Sequence, residues 1–69
     1  MANFSKVNKA IKLKHPHLDI IAVRGNGYVY FDGDDGFDKI TSIYTNPVSI
    51  TTETLINLCL QEIDQAVKA

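Results

Sequence analysis

The spacing of apolar and polar residues changes period several times along this chain. Between about Asn3 and Lys14, Phe4, Val7, Ala10 and Ile11 recur at steps of three and four, which predicts a helix with one apolar side. Asn3 or Ser5 can cap its start, and His15-Pro16 stops it, because a residue followed by proline disfavours the α region. Lys6, Lys9, Lys12 and Lys14 lie mostly on the opposite side, and those in the last turn complement the helix dipole. From Leu18 to Asp32 the period becomes two. Two runs of β-branched and aromatic residues flank Asn26-Gly27, a strong hairpin signal, and predict strands near 18–24 and 28–32. Asn-Gly suits a type I′ turn, which needs positive φ at both central residues.

A two-residue turn at 26–27 pairs Arg24 with Val29, Val23 with Tyr30 and Ala22 with Phe31. Alternation then separates two faces. One carries Leu18, Ile20, Ala22, Val29 and Phe31 and is assigned to the core. The other carries Ile21, Val23, Tyr28 and Tyr30, edged by Asp19 and Asp32, and has the composition of a half-solvated face.

After the turn-rich segment Gly33-Asp-Asp-Gly-Phe-Asp38, β-propensity predicts a third strand over Ile40–Thr45, ended by Asn46-Pro47. Its inward parity is either Ile43 or the pair Ile40 and Tyr44, with the balance towards Ile43. Thr51 caps a final helix, and Ile50 can form a hydrophobic staple to Leu55. Ile56, Cys59, Leu60, Ile63 and Val67 give that helix its apolar stripe; Asn57, Gln61, Asp64 and Lys68 face water. Leu58 falls opposite the stripe, with Leu55 on its flank and Glu62 and Gln65 around the pair, a candidate secondary contact. The expected fold is a single α+β domain over residues 1–69, helix–three-stranded antiparallel sheet–helix, with both helices on one face.

Sixty-nine residues, 45% of them hydrophobic, suffice for one small core. The single cysteine, Cys59, excludes an internal disulfide, and no apolar run approaches the ~20 residues that span a bilayer. The N-terminal stretch has no signal-peptide core, so a cytoplasmic location is expected. A net charge of −1 supplies no global basic field. Charge is unevenly spread, however, with Lys6, Lys9, Lys12, Lys14 and Arg24 early and most acids between Asp32 and Glu53.

Asp32, Asp34, Asp35 and Asp38 offer oxygen ligands, but Gly36 stands where an EF-hand needs its third ligand and no Glu closes the loop. The segment reads as a turn, and no metal or cofactor is expected. His15 and His17 bracket a proline and lack partners for a four-ligand zinc site. Cys59 sits within the apolar stripe, without a base or cation to activate it, and reads as core. No nucleophile–base arrangement or phosphate loop is evident, so the chain is not expected to be an enzyme. Tyr28 and Tyr30, with Tyr44, Ile21 and Val23, form instead a tyrosine-and-aliphatic patch of the kind enriched at protein-binding surfaces.

The run Gly25-Asn-Gly-Tyr-Val-Tyr-Phe-Asp-Gly33, followed by Ser42-Ile-Tyr44 and a Thr-capped helix, resembles small proteins encoded by phages and other mobile elements. That resemblance implies an accessory factor that binds host or phage proteins. The order of elements is also similar to the double-stranded-RNA-binding domain, which reads A-form RNA by shape and backbone contacts. That family carries a lysine cluster at the start of its last helix; here Thr51-Thr-Glu-Thr-Leu55 is acidic. The expectation is therefore a binding module for another protein, with a homodimer possible. The alternative is a nucleic-acid module using Lys6, Lys9, Lys12, Lys14 and Arg24.

Overall fold

A computed structural model describes residues 2–33, 40 and 42–68. It is an α+β fold with two helices and a two-stranded antiparallel sheet: α1 (Phe4–Lys14), β1 (Ile20–Arg24), β2 (Val29–Gly33) and α2 (Thr52–Lys68). Asn3 caps α1, its side-chain oxygen accepting from the Lys6 N–H at 3.1 Å, and His15 closes the helix through a bond to the Ile11 carbonyl. Thr51 caps α2 in the same way, its hydroxyl oxygen accepting from the Thr54 N–H at 3.2 Å. Both caps satisfy backbone donors that have no partner inside the helix.

The hairpin register is the expected one, with Arg24 opposite Val29, Val23 opposite Tyr30 and Ala22 opposite Phe31. Its turn is not type I′. Among the described residues only Gly27 has positive φ, at 84°, so Asn26 stays on the ordinary side of the backbone map. Positive φ at the third of four turn positions is what a type II turn requires. This turn puts only glycine in the left-handed region, where it meets no steric penalty. The register survives because either turn spans two residues, here between Gly25 and Tyr28, whose N–H and carbonyl bond at 2.8 Å.

Alternate peptide groups of β1 and β2 point away from the hairpin and need partners elsewhere. At Val29 the partner is Ile43, with reciprocal N–H to carbonyl bonds of 2.8 Å each. At Ala22 it is a side chain. Asn8 of α1 accepts from the Ala22 N–H at 2.7 Å and donates to the Ala22 carbonyl at 3.2 Å, closing part of the outer edge of β1.

The third strand expected over Ile40–Thr45 is reduced, among the described residues, to the isolated bridge at Ile43. Ile43 does face inward, and Tyr44 outward. Ile40 is buried too, however, and positions 40 and 43 cannot share a face in a regular pleat. Residue 41 lies outside the described residues.

Val7 and Ile11 of α1, Ile20 and Ala22 of β1, Val29 and Phe31 of β2, and Leu55, Cys59 and Ile63 of α2 meet in one cluster with Ala2, Ile40 and Ile43. Leu18 and Phe4 pack around it. Among the described residues the buried set contains no polar or charged side chain.

Helix α2 is rotated from the expected orientation. Its fully buried line is Leu55, Cys59 and Ile63, spaced by four, while Ile56 and Leu60 are half-buried and Val67 is 49% exposed. Leu55 therefore cannot be a surface contact, and Leu58 is half-buried against the core. Apolar residues at 55, 56, 58, 59, 60, 63 and 67 surround much of the helix, so the deepest line is chosen by the facing surface of α1 and the hairpin.

Candidate functional site

The hairpin's outward face is where the predicted partner-binding residues come together. Strand alternation places Ile21, Val23, Tyr28 and Tyr30 there; Ile21 is 46% and Tyr30 38% exposed, and Val23 and Tyr28 are half-buried. Tyr44 is brought to the same patch by its neighbour. Because Ile43 pairs with Val29 and turns inward, Tyr44 turns outward beside Tyr28, with 83% of its surface exposed.

Tyr28 is the middle ring. Its centroid lies 5.9 Å from that of Tyr30 and 6.3 Å from that of Tyr44, with interplanar angles of 37° and 36°. These separations lie within the range in which aromatic pairs attract. Tyr28 is also seated on Gly25: a Cβ there would meet the Tyr28 Cζ at 2.5 Å, so the ring occupies the space that a side chain would take. The cluster is thus three rings held by the turn, the strand and the Ile43 bridge, with the outer two accessible.

Two exposed carboxylates border this face. Asp32 lies opposite Ile21 and two residues beyond Tyr30, so alternation directs it to the tyrosine side, and Asp19 is exposed just before β1 begins. Arg24 is exposed at the turn but has the inward parity of Ala22 and Ile20.

The basic set is elsewhere. Lys6, Lys9, Lys12 and Lys14 are exposed on α1, and Lys14 is engaged by α2, its Nζ 2.9 Å from Asp64 Oδ2. His15 Nε2 donates to Asp64 Oδ1 at 2.8 Å. These two donors hold the Asp64 carboxyl below its ordinary range, the Lys14 hydrogen bond foremost. Sequence reasoning had placed Asp64 simply in water. Its role is visible only once the two helix ends are side by side.

Burial pushes the Cys59 thiol up to about 12, which keeps it protonated and unreactive in the core. Among the described residues no group of three or more His, Cys, Asp or Glu could hold a metal ion, and no helix is long and apolar enough to cross a membrane. Asp34, Asp35 and Asp38 of the acidic turn lie outside the described residues. Comparison of the chain with protein-family models, curated proteins and solved structures returns no match.

Proposed function

We propose that this chain acts by binding another protein, without catalysis, and that the outward hairpin face is its docking surface. The observation that carries the reading is the tyrosine cluster, in which Tyr28 is held between the accessible rings of Tyr30 and Tyr44. Rings already fixed in place lose little entropy when a partner covers them, and each offers both apolar area and a hydroxyl. Scattered exposed apolar residues are ordinary on any protein; a contiguous group such as Ile21, Val23 and the three tyrosines is the mark of an interaction site. In this reading the chain is an accessory factor whose partner is a host or phage protein, as the pattern of residues 25–33 leads us to expect.

The test is affinity capture from host lysate with the wild-type chain, a Tyr28→Ala/Tyr30→Ala variant and a Lys6→Glu/Lys9→Glu/Lys12→Glu variant. Central aromatic anchors contribute 2 kcal/mol or more to binding, so the tyrosine variant should weaken capture by about thirtyfold or more. It should keep its helical circular dichroism. Loss of binding in the lysine variant alone, together with steep weakening by salt, would assign the function to nucleic acid instead. If the tyrosine variant folds and captures the same protein as well as wild type does, this face is not the site.

A further inference from the structure

Building on that protein-binding role, we infer that the segment docked on the tyrosine face carries positive charge: an arginine- or lysine-bearing stretch of a separate protein.

The argument starts from the two carboxylates on the rim. Asp19 and Asp32 are exposed, and among the described residues neither has an ion-pair or side-chain hydrogen-bond partner. Asp64 differs, being held by Lys14 and His15 between the helix ends. The lysines of the described residues, Lys6, Lys9, Lys12, Lys14 and Lys68, all belong to the helices. Arg24 is on β1 but has the inward parity, so among the described residues the tyrosine face joins accessible aromatic rings to carboxylates that have no ion-pair partner.

These groups suit the same ligand. A guanidinium or ammonium group is attracted to the face of a tyrosine ring within about 6 Å of its centroid. Asp32 follows Tyr30 by two residues on one strand face, roughly 7 Å along the chain. A cationic side chain lying over Tyr30 can therefore reach the carboxylate with its charged end while its methylene stem covers Ile21, the residue opposite Asp32. An acidic segment would meet like charge at the rim, and a neutral one would leave both carboxylates without a counter-charge. Such complementarity selects partners and speeds encounter more than it adds raw affinity.

Panning a randomised dodecapeptide library on the full chain, with counter-selection on the Tyr28→Ala/Tyr30→Ala variant, tests this. Peptides that require the tyrosines should be rich in Arg and Lys and poor in Asp and Glu. Asp32→Asn, an exposed change whose folding is checked by circular dichroism, should weaken those peptides about two- to fivefold, and added salt should weaken them further. Tyrosine-dependent peptides that are neutral or acidic would overturn the charge preference and leave the docking face standing. A library in which no peptide distinguishes wild type from the tyrosine variant would overturn both. Self-association in sedimentation, abolished by Lys6→Glu/Lys9→Glu, would make the basic occupant a second copy of this chain and overturn the assignment to a separate protein.

Discussion

A Cβ built on Gly33 would overlap the Asp19 carbonyl oxygen and press on the Ile20 Cα, both of them backbone atoms that cannot swing aside. Gly27 is the opposite case. Nothing lies within 4 Å of a Cβ there, but its φ of 84° is one that residues with side chains avoid. Substitution at the two sites should therefore fail for different reasons. Gly27→Ala should cost about 1 kcal/mol, the strain of the left-handed region, and Gly27→Asn less, because asparagine tolerates it. Gly33→Ala should cost roughly 1–3 kcal/mol, as overpacking does, because the strand end must shift. Urea melts of the three variants with equal m-values would check this; a neutral Gly33→Ala would mean that the close approach to Asp19 is not maintained. The Asn-Gly pair made Gly27 readable in the sequence. Gly33 read only as part of a turn, since a sequence does not show which carbonyl a glycine faces.

At the level of elements, period decided more than propensity did. The clean alternation of residues 18–32 has one register that buries a wholly apolar face, so pairing and faces were both legible. In α2 the apolar residues encircle too much of the helix to fix its rotation, which is why Leu55 and Leu58 were expected outside. The Ile40–Thr45 run has strong β-propensity, yet among the described residues only Ile43 is paired, and Ile40 and Ile43 are both buried, which a regular pleat does not allow. Asn8 carries no apolar signal at all, and its double bond to Ala22 was invisible before α1 was placed beside β1. Asn8→Ala should leave a strand N–H and C=O without partners and cost about 1–3 kcal/mol. Urea melts and hydrogen exchange at the Ala22 amide would measure it; unchanged protection of that amide would show that water or another group replaces Asn8.

For the whole molecule, two titrating groups set opposite limits on stability. Asp64 ties α2 to the end of α1 through Lys14 and His15, and these bonds hold its carboxyl below the ordinary value of 3.8. The unfolded chain therefore takes up that proton first as pH falls, so this contribution is present above about pH 4 and is lost below it. At the other end, the Cys59 thiol rises from 9.0 to about 12 on burial. Between those values the unfolded chain releases a proton that the folded chain keeps. The contribution is complete below pH 9 and drains away towards pH 12. Chemical melts across both limbs should show Asp64→Asn flattening only the acid side and Cys59→Ala only the alkaline side. Thiol labelling gives an independent check on the second: Cys59 should react only when the whole domain opens, so its rate should follow global unfolding in urea. Fast labelling of the native protein, or an acid limb unchanged in Asp64→Asn, would show that the core around Cys59 or the link between the helix ends is looser than these contacts describe.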